Sequence, residues 1–358
     1  IYDILIDESG IMWIGTYAGG VNYTDYYRKK FYHFKSLSNN SLFLNDKIVQ
    51  CFAEDKQGNL WIGTANGGLN ILNKETGKYF YFTATDEKNS LSSENIKCLA
   101  FDDNNGLWIG TYRGGLNYLI LHENKFYHYN YEEDNENSIP DNRIYSLLYD
   151  SNRNIWVGTG NGLCVINGTT GKIERIGVSG NYNNHLDDDS YINYTIEDIF
   201  EDKDQNIYFS VMSLGIFRFH QEDSSLIKID IQGPVSPKIF FQDSKNNLWL
   251  GTNTGLFLID NHTDSANLIL NTKDGLPSDF IYGILEDDDN NLWISTFAGL
   301  VTIRDAVNDP QSKEFHIYDR SDGLQSNQFF HGAALKSENN QMFFGGINGF
   351  NAFYPSQI

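Results

Sequence analysis

At 358 residues the chain is long for a single domain, and its 22 tyrosines, 24 phenylalanines and 32 glycines against 6 prolines suit many short strands joined by tight turns. No run of ten or more residues carries helical apolar spacing, which excludes a helical or α/β architecture. A net charge of −21 sets the field against phosphate backbones and anionic membrane surfaces, so nucleic acid is excluded as a partner; three cysteines with no close pair exclude a disulfide scaffold.

The chain opens in strand pattern at Ile1, reaches Trp13, and repeats one sentence from there on. Its clearest form is Glu54-Asp55-Lys56-Gln57-Gly58-Asn59-Leu60-Trp61-Ile62-Gly63-Thr64-Ala65-Asn66-Gly67-Gly68-Leu69-Asn70, read as strand, tight turn, strand, tight turn, strand. It returns around Trp108, Trp156, Trp249 and Trp293, and two worn copies place Tyr208 and Phe343 at the tryptophan position. The eight anchors lie 48, 47, 48, 52, 41, 44 and 50 residues apart. A period of this length with about four strands per unit predicts an all-β chain, a β-propeller. A lone four-stranded sheet cannot bury both faces; stacked blades can, so the tryptophans read as inter-blade core.

In the second copy strand A runs from Ile48 to Glu54, B from Leu60 to Thr64, C from Leu69 to Leu72 and D from Lys78 to Phe82. Strand D is aromatic in several copies, as in Phe31-Tyr32-His33-Phe34 and Phe126-Tyr127-His128-Tyr129, and the recurrence of His33, His128 and His316 points to packing. Loops between D and the next A carry Asn40-Ser41-Leu42, Asn89-Ser90-Leu91, Asn137-Ser138-Ile139, Asp274-Gly275-Leu276 and Asp322-Gly323-Leu324, whose apolar residue is expected to plug the loop into the core. The last copy stops without a D strand, and the one spare D strand is Phe31 to Phe34. Unpaired edges invite aggregation, so seven blades closed by a shared N- and C-terminal blade are expected over 28–358, with 1–27 supplying strands of a preceding propeller; eight blades are the alternative.

No catalytic or phosphate-binding motif is present, and no metal or cofactor is expected. Glu286-Asp287-Asp288-Asp289-Asn290-Asn291 is rich in oxygen ligands but falls at an A–B turn and lacks the spacing and final glutamate of a calcium loop. The B–C turns vary while their frame stays fixed, and in a propeller they share one face with the D–A loops. Tyr112, Arg113, Asn161, Asn66, Asn253 and Phe297, with Tyr191 and Tyr194 of the long loop from Gly177 to Thr195, are the candidate ligand-binding residues. Aromatic rings beside amides suit a carbohydrate, and Arg113, the one cation among the variable pairs, suits an acidic sugar; the alternative is that these are tolerant loop tips.

The pattern at Glu54–Asn70 and Asp102–Asn117 resembles the two-component regulator propeller repeat. This resemblance implies a non-enzymatic sensor: the periplasmic part of an inner-membrane hybrid two-component protein that recognises oligosaccharides. It also implies an adjacent propeller and an immunoglobulin-like domain in the same chain as partners, and leaves room for a homodimer. The rivals are a polysaccharide lyase or glycosidase propeller and a protein-binding surface or secretion module. The copies at Tyr208, with Phe209-Ser210-Val211, and at Trp293, with Ser295 in place of glycine, depart from the pattern and are expected to be looser or reshaped.

Overall fold

The computed structural model describes residues 1–8, 11–17, 19–25, 31–36, 43–176, 194–221 and 225–358. Three strands, β1 (Asp3–Ile6), β2 (Ile11–Gly15) and β3 (Val21–Asp25), pair only with one another. Strand β4 (Tyr32–Phe34) then belongs elsewhere. The first blade is β5 (Val49–Glu54), β6 (Leu60–Thr64), β7 (Leu69–Leu72) and β8 (Tyr79–Phe82), within one residue of the expected bounds. The second is β9 (Ile96–Phe101), β10 (Gly106–Thr111), β11 (Leu116–Ile120) and β12 (Lys125–Tyr129). The third is β13 (Ile144–Tyr149), β14 (Ile155–Thr159), β15 (Gly162–Ile166) and β16 (Ile173–Arg175). The fourth is β17 (Ile196–Glu201), β18 (Ile207–Val211), β19 (Gly215–Phe219) and β20 (Leu226–Ile231). The fifth is β21 (Pro237–Gln242), β22 (Leu248–Thr252), β23 (Leu256–Asp260) and β24 (Ser265–Leu270). The sixth is β25 (Ile281–Glu286), β26 (Leu292–Thr296), β27 (Gly299–Ile303) and β28 (Phe315–Tyr318). The seventh has β29 (Phe329–Lys336), β30 (Met342–Gly346) and β31 (Gly349–Phe353), and takes β4 as its outer strand.

That last pairing is antiparallel, with Phe350 opposite Phe34, Asn351 opposite His33 and Ala352 opposite Tyr32. Phe31 is buried beside it and meets Phe353 and Tyr318 edge-on at 4.8 and 5.2 Å. The ends of the ring are thus joined by a ladder and an aromatic plug, and the ring closes with seven blades, not eight. The inner strands β5, β9, β13, β17, β21, β25 and β29 each adjoin the next around the axis, with β29 meeting β5. Blades four and five are also tied at their rims, where Asp230 and Ile231 of β20 pair in parallel with Ser265 and Ala266 of β24.

Each of the ring's seven anchors, from Trp61 to Phe343, lies in the apolar layer between its own blade and the following one. Trp61 packs with Ile96 and Leu107, Trp156 with Ile196 and Ile207, Tyr208 with Phe240 and Leu248, and Phe343 with Val49 and Leu60. The second strand of every blade is covered on both sides, which is why it reads as an unbroken buried run such as Leu-Trp-Ile-Gly-Thr. Its glycine is a packing requirement: a Cβ on Gly63 would lie 2.7 Å from Ile96 Cγ2 and 2.4 Å from Cys51 Sγ, and one on Gly110 would meet Ile144 and Cys98 similarly. In blade six Ser295 faces Gly283, so the small residue has moved to the partner strand. In blade four Ser210 Oγ accepts from the Asp198 amide at 3.0 Å. The departure in blade four is thus compensated by a hydrogen bond, whereas in blade six the Ser295 hydroxyl is buried without a hydrogen-bond partner.

A hydrogen bond hidden from the sequence pattern locks the turn to its anchor in four of the ring's blades. Asp55, Asp150, Asp243 and Asp287 are buried at the A–B turns, and each accepts the indole N–H of the tryptophan six residues on, at 2.8–2.9 Å. The same carboxylates accept turn amides: Asp243 takes the Lys245 and Asn247 N–H groups at 2.9 Å. Four donors on one carboxylate satisfy its lone pairs, and Asp287 in the acidic run at 286–291 is spent this way. Blade seven lacks both partners together, with Ser337 and Phe343 in their places. The loop leucines plug inward as expected at Leu91, Ile139, Leu276 and Leu324. In the first loop Leu42 lies outside the described residues, and Leu44 makes the bridge to Ser36 that Leu91 makes to Ala84.

The carboxylate–indole link yields a direct expectation. Asp243→Ser alone should destabilise the chain by about 1–3 kcal/mol, because the Trp249 N–H is left buried and unpaired. Combined with Trp249→Phe, the cost should fall short of the sum by about 1 kcal/mol in urea melts. Additivity within error would mean that the link contributes nothing beyond packing.

Candidate functional site

The turns after strand B and the loops before strand A meet on one face. The amide after strand B bonds the carbonyl just before strand A in six blades: Ala65 to Ile48, Tyr112 to Asn95, Gly160 to Arg143, Met212 to Thr195, Asn253 to Ser236 and Phe297 to Phe280, at 2.8–3.2 Å. Threonine side chains close the turns, as Thr64 Oγ1 donates to the Gly68 carbonyl and Thr111 Oγ1 to the Gly115 carbonyl, each at 2.8 Å.

Five blades place sequence-predicted residues on this face. Tyr112 and Arg113 sit together, the guanidinium 5.1 Å from the ring centroid; Arg113 is exposed, with a left-handed φ of 74°. Phe297 is exposed and packs against Phe280 at 6.3 Å. Asn161 is exposed on the third blade, its amide donating to Thr159 Oγ1. Asn66 donates its amide N–H to Asp46 Oδ2 at 2.9 Å, and Asn253 accepts the Ser236 amide at 2.7 Å, so both are committed to shaping their loops. Tyr194 packs against the layer between blades three and four. Tyr191 lies outside the described residues.

The face leads into an axial cavity of about 450 Å³ walled by the inner strands. The second residue of each inner strand points to the axis: Gln50, Lys97, Tyr145, Glu197, Lys238 and Tyr282, with His331 in the seventh blade. Sequence reasoning missed this ring because each member interrupts an apolar run that reads as core. A signal exists: six of the seven stand eleven residues before their anchor, and a bulge in β29 moves His331 to twelve. Tyr145 meets the Tyr112 ring edge-on at 6.3 Å, and Tyr282 lies 6.4 Å from Phe280, so two aromatic groups from blades two to three and blade six flank the mouth.

The charges within are mostly matched. Lys238 Nζ bonds Glu197 Oε2 at 2.5 Å. His331 Nε2 lies 2.7 Å from the Lys238 carbonyl; a carbonyl only accepts, so Nε2 carries the proton, and burial holds the imidazole below its ordinary pKa and therefore neutral. Asp198 accepts the Phe240 amide at 2.8 Å, yet burial pushes its carboxyl up to about 7. Burial also pushes the Cys51 thiol in the cavity wall up to about 12, which removes it as a nucleophile. Among the described residues no group of three or more histidine, cysteine and carboxylate side chains has metal-holding geometry. The recurring histidines serve packing: His33 bonds the Asn348 carbonyl at 2.7 Å and His128 the Ser90 carbonyl at 2.9 Å. The arrangement is a cavity lined by amide and ammonium donors, with aromatic rings at its mouth.

Comparison with known proteins follows this geometry. The family model described as two component regulator propeller matches residues 43–66, 90–113, 138–161 and 275–298, each running from the residue before the plugging loop residue into the B–C turn of the same blade. The extracellular domain of the hybrid two component system BT3049 from B. thetaiotaomicron is 27% identical with a TM-score of 0.79, over 99% of this chain and 45% of that one. The extracellular domain of the one component system BT4673 from the same organism is 21% identical with a TM-score of 0.72, over 99% and 46%. Virginiamycin B lyase from Staphylococcus aureus, at 15% identity and a TM-score of 0.66 over 90% and 98%, shares the fold. The chain thus spans less than half the length of the two-component structures it matches. No curated protein matches it.

Asp198 gives a pH test. Its folded pKa lies above the unfolded carboxylate value, so the folded state binds the extra proton and stability falls as pH rises from about 4 to about 7. Asp198→Asn removes that titration. The melting temperature of the variant should therefore gain on the parent between pH 4 and 8; a difference constant over that range would place Asp198 in ordinary solvent contact.

Proposed function

From a chain built of two-component regulator propeller repeats, we propose a sensory domain: the extracytoplasmic part of a membrane-anchored hybrid two-component protein that binds an oligosaccharide at the axial mouth and passes the event to signalling domains of the same chain. The observation that carries the ligand class is the pairing of aromatic groups across the mouth, Tyr112 with Tyr145 and Phe280 with Phe297, above a cavity walled by amide, hydroxyl and ammonium donors. Flat rings stack on the C–H faces of a pyranose while side-chain donors and acceptors bond its hydroxyls, and a largely preformed concave site keeps the ordering cost of binding low. A non-catalytic reading is favoured by the fate of the carboxylates: Glu197 is bound to Lys238, and Asp198 lies next to it on the same strand. Two carboxyl groups poised on either side of a glycosidic bond, as glycoside hydrolysis requires, are not offered by that arrangement.

The sheet β1–β3 fits the same reading as part of a preceding propeller within the chain. It keeps the blade design, with Trp13 donating to Asp7 at 2.8 Å, but Trp13 is 38% exposed where Trp61 is 4% exposed, and Leu5 and Ile6 are each 61% exposed. Covering such strands requires neighbouring blades. A chain starting at residue 28 should accordingly melt at the same temperature as the full chain; a clear loss would make residues 1–27 part of the ring's own stability.

Titration calorimetry against a panel of plant and host oligosaccharides tests the ligand. At least one should bind, no product should form on prolonged incubation, and Tyr112→Ala and Phe297→Ala should each weaken binding about tenfold, or about 1.4 kcal/mol. Turnover dependent on a single carboxylate, or a bound sugar indifferent to both substitutions, would overturn the proposal.

A further inference from the structure

The axial ring holds two lysines, and they are not equivalent. Lys238 has its counter-ion in Glu197. Among the described residues Lys97 has no ion pair with a carboxylate: its ammonium bonds the Gln50 side-chain oxygen and stands 5.7 Å from the centroid of the Tyr112 ring. Gln50 is itself oriented, because its amide nitrogen donates to Asn95 Oδ1 at 2.9 Å, so its oxygen is turned to Lys97. An ammonium has three donors, and the cavity is where further acceptors for this one would sit.

Half-burying a cation without a counter-ion costs stability, and a methionine or leucine would fill the same wall without that cost. Burial lowers the Lys97 pKa, the expected sign of that cost. With a net charge of −21 the surface as a whole disfavours anions, so any attraction must come from a local charge in a screened site; the Debye length at physiological salt is about 8 Å.

We propose that Lys97 is the counter-ion for an acidic substituent, carboxylate or sulfate, on the oligosaccharide that enters the axial mouth, with Asn95 and Gln50 as positioning residues and the Tyr112 and Tyr145 rings as walls. This rests on the sensory reading above and names its ligand class. A lysine is a point charge without the fixed fork of arginine, so it selects charge and leaves the shape of the anion to the walls. Arg113, exposed on the rim and 5.1 Å from the same tyrosine ring, adds to the field at the entrance.

The test uses matched pairs on the whole chain by titration calorimetry: oligouronides against their carboxyl-reduced forms, and sulfated oligosaccharides against their desulfated forms. For at least one pair the acidic member should bind the parent at least about tenfold tighter than its neutral partner. Whichever pair shows the preference identifies the anion. Lys97→Met should erase the preference, bringing the acidic and neutral members to equal affinity with no fall in melting temperature, and Lys97→Arg should keep most of it. A preference that survives Lys97→Met but is lost in Arg113→Ala would move the recognition to the rim and overturn the proposal. Neutral members binding as tightly as acidic ones would overturn it and leave the sensory reading standing. If no member of any pair binds, both fall.

Discussion

Everything in this molecule depends on closing a circle with sheets that cannot exist singly. Each blade presents two apolar faces, and each face is covered only if the next blade is in place. Seven layers result, and the seventh, between Phe343 and Phe350 on one side and Val49 and Leu60 on the other, exists only because the ends of the ring meet. The ladder between β31 and β4 and the burial of Phe31 hold those ends. Closure also dictates where function can sit: the inner strands converge, their second side chains face the axis, and their preceding loops are bonded to the B–C turns. A cavity with one decorated mouth is a consequence of the ring, and its chemistry is written in one residue per blade.

The repeat tolerates change where partners change together. Trp249 donates to Asp243, whereas Phe343, with no N–H, stands six residues after Ser337. In the second blade Gly106 replaces the turn asparagine, and Asp102 instead accepts the Tyr118 hydroxyl at 2.8 Å. In the sixth, Ser295 is accommodated by Gly283 across the strand. In the second blade the exchange leaves the buried carboxylate bonded; in the sixth it keeps the crowded position small, although the Ser295 hydroxyl is itself buried without a hydrogen-bond partner. Across the axis, His331 of the seventh blade bonds the Lys238 carbonyl of the fifth.

Much of the architecture was legible because tryptophan, glycine and turn residues recur at a fixed period. The blade count and the closing strand followed from one missing and one spare D strand. In the first loop Leu42 lies outside the described residues, and it is Leu44 that bridges to Ser36. The candidate rim was read as variation against a fixed frame, and Tyr112 and Phe297 stand beside Tyr145 and Phe280 of the cavity. The axial ring was not: Lys97 stands in a strand that is otherwise apolar and Glu197 beside Asp198 in a mixed one, and a side chain pointing to the axis looks like an irregularity until the circle is drawn. Asn66 and Asn253 show the converse, since amides that suit a sugar are equally suited to holding a loop.

A mouth flanked by aromatic rings opens onto a throat in which, among the described residues, Lys97 has no carboxylate partner, and ligand is proposed to enter there. The most direct measurement is a crystal structure of the chain with a bound acidic oligosaccharide. The sugar should stack at Tyr112 or Phe297 with its anionic group about 3 Å from Lys97 Nζ. A sugar found instead in the amide-lined groove of the opposite face, among Asn152, Gln205 and Gln221, with the axial cavity empty, would contradict it.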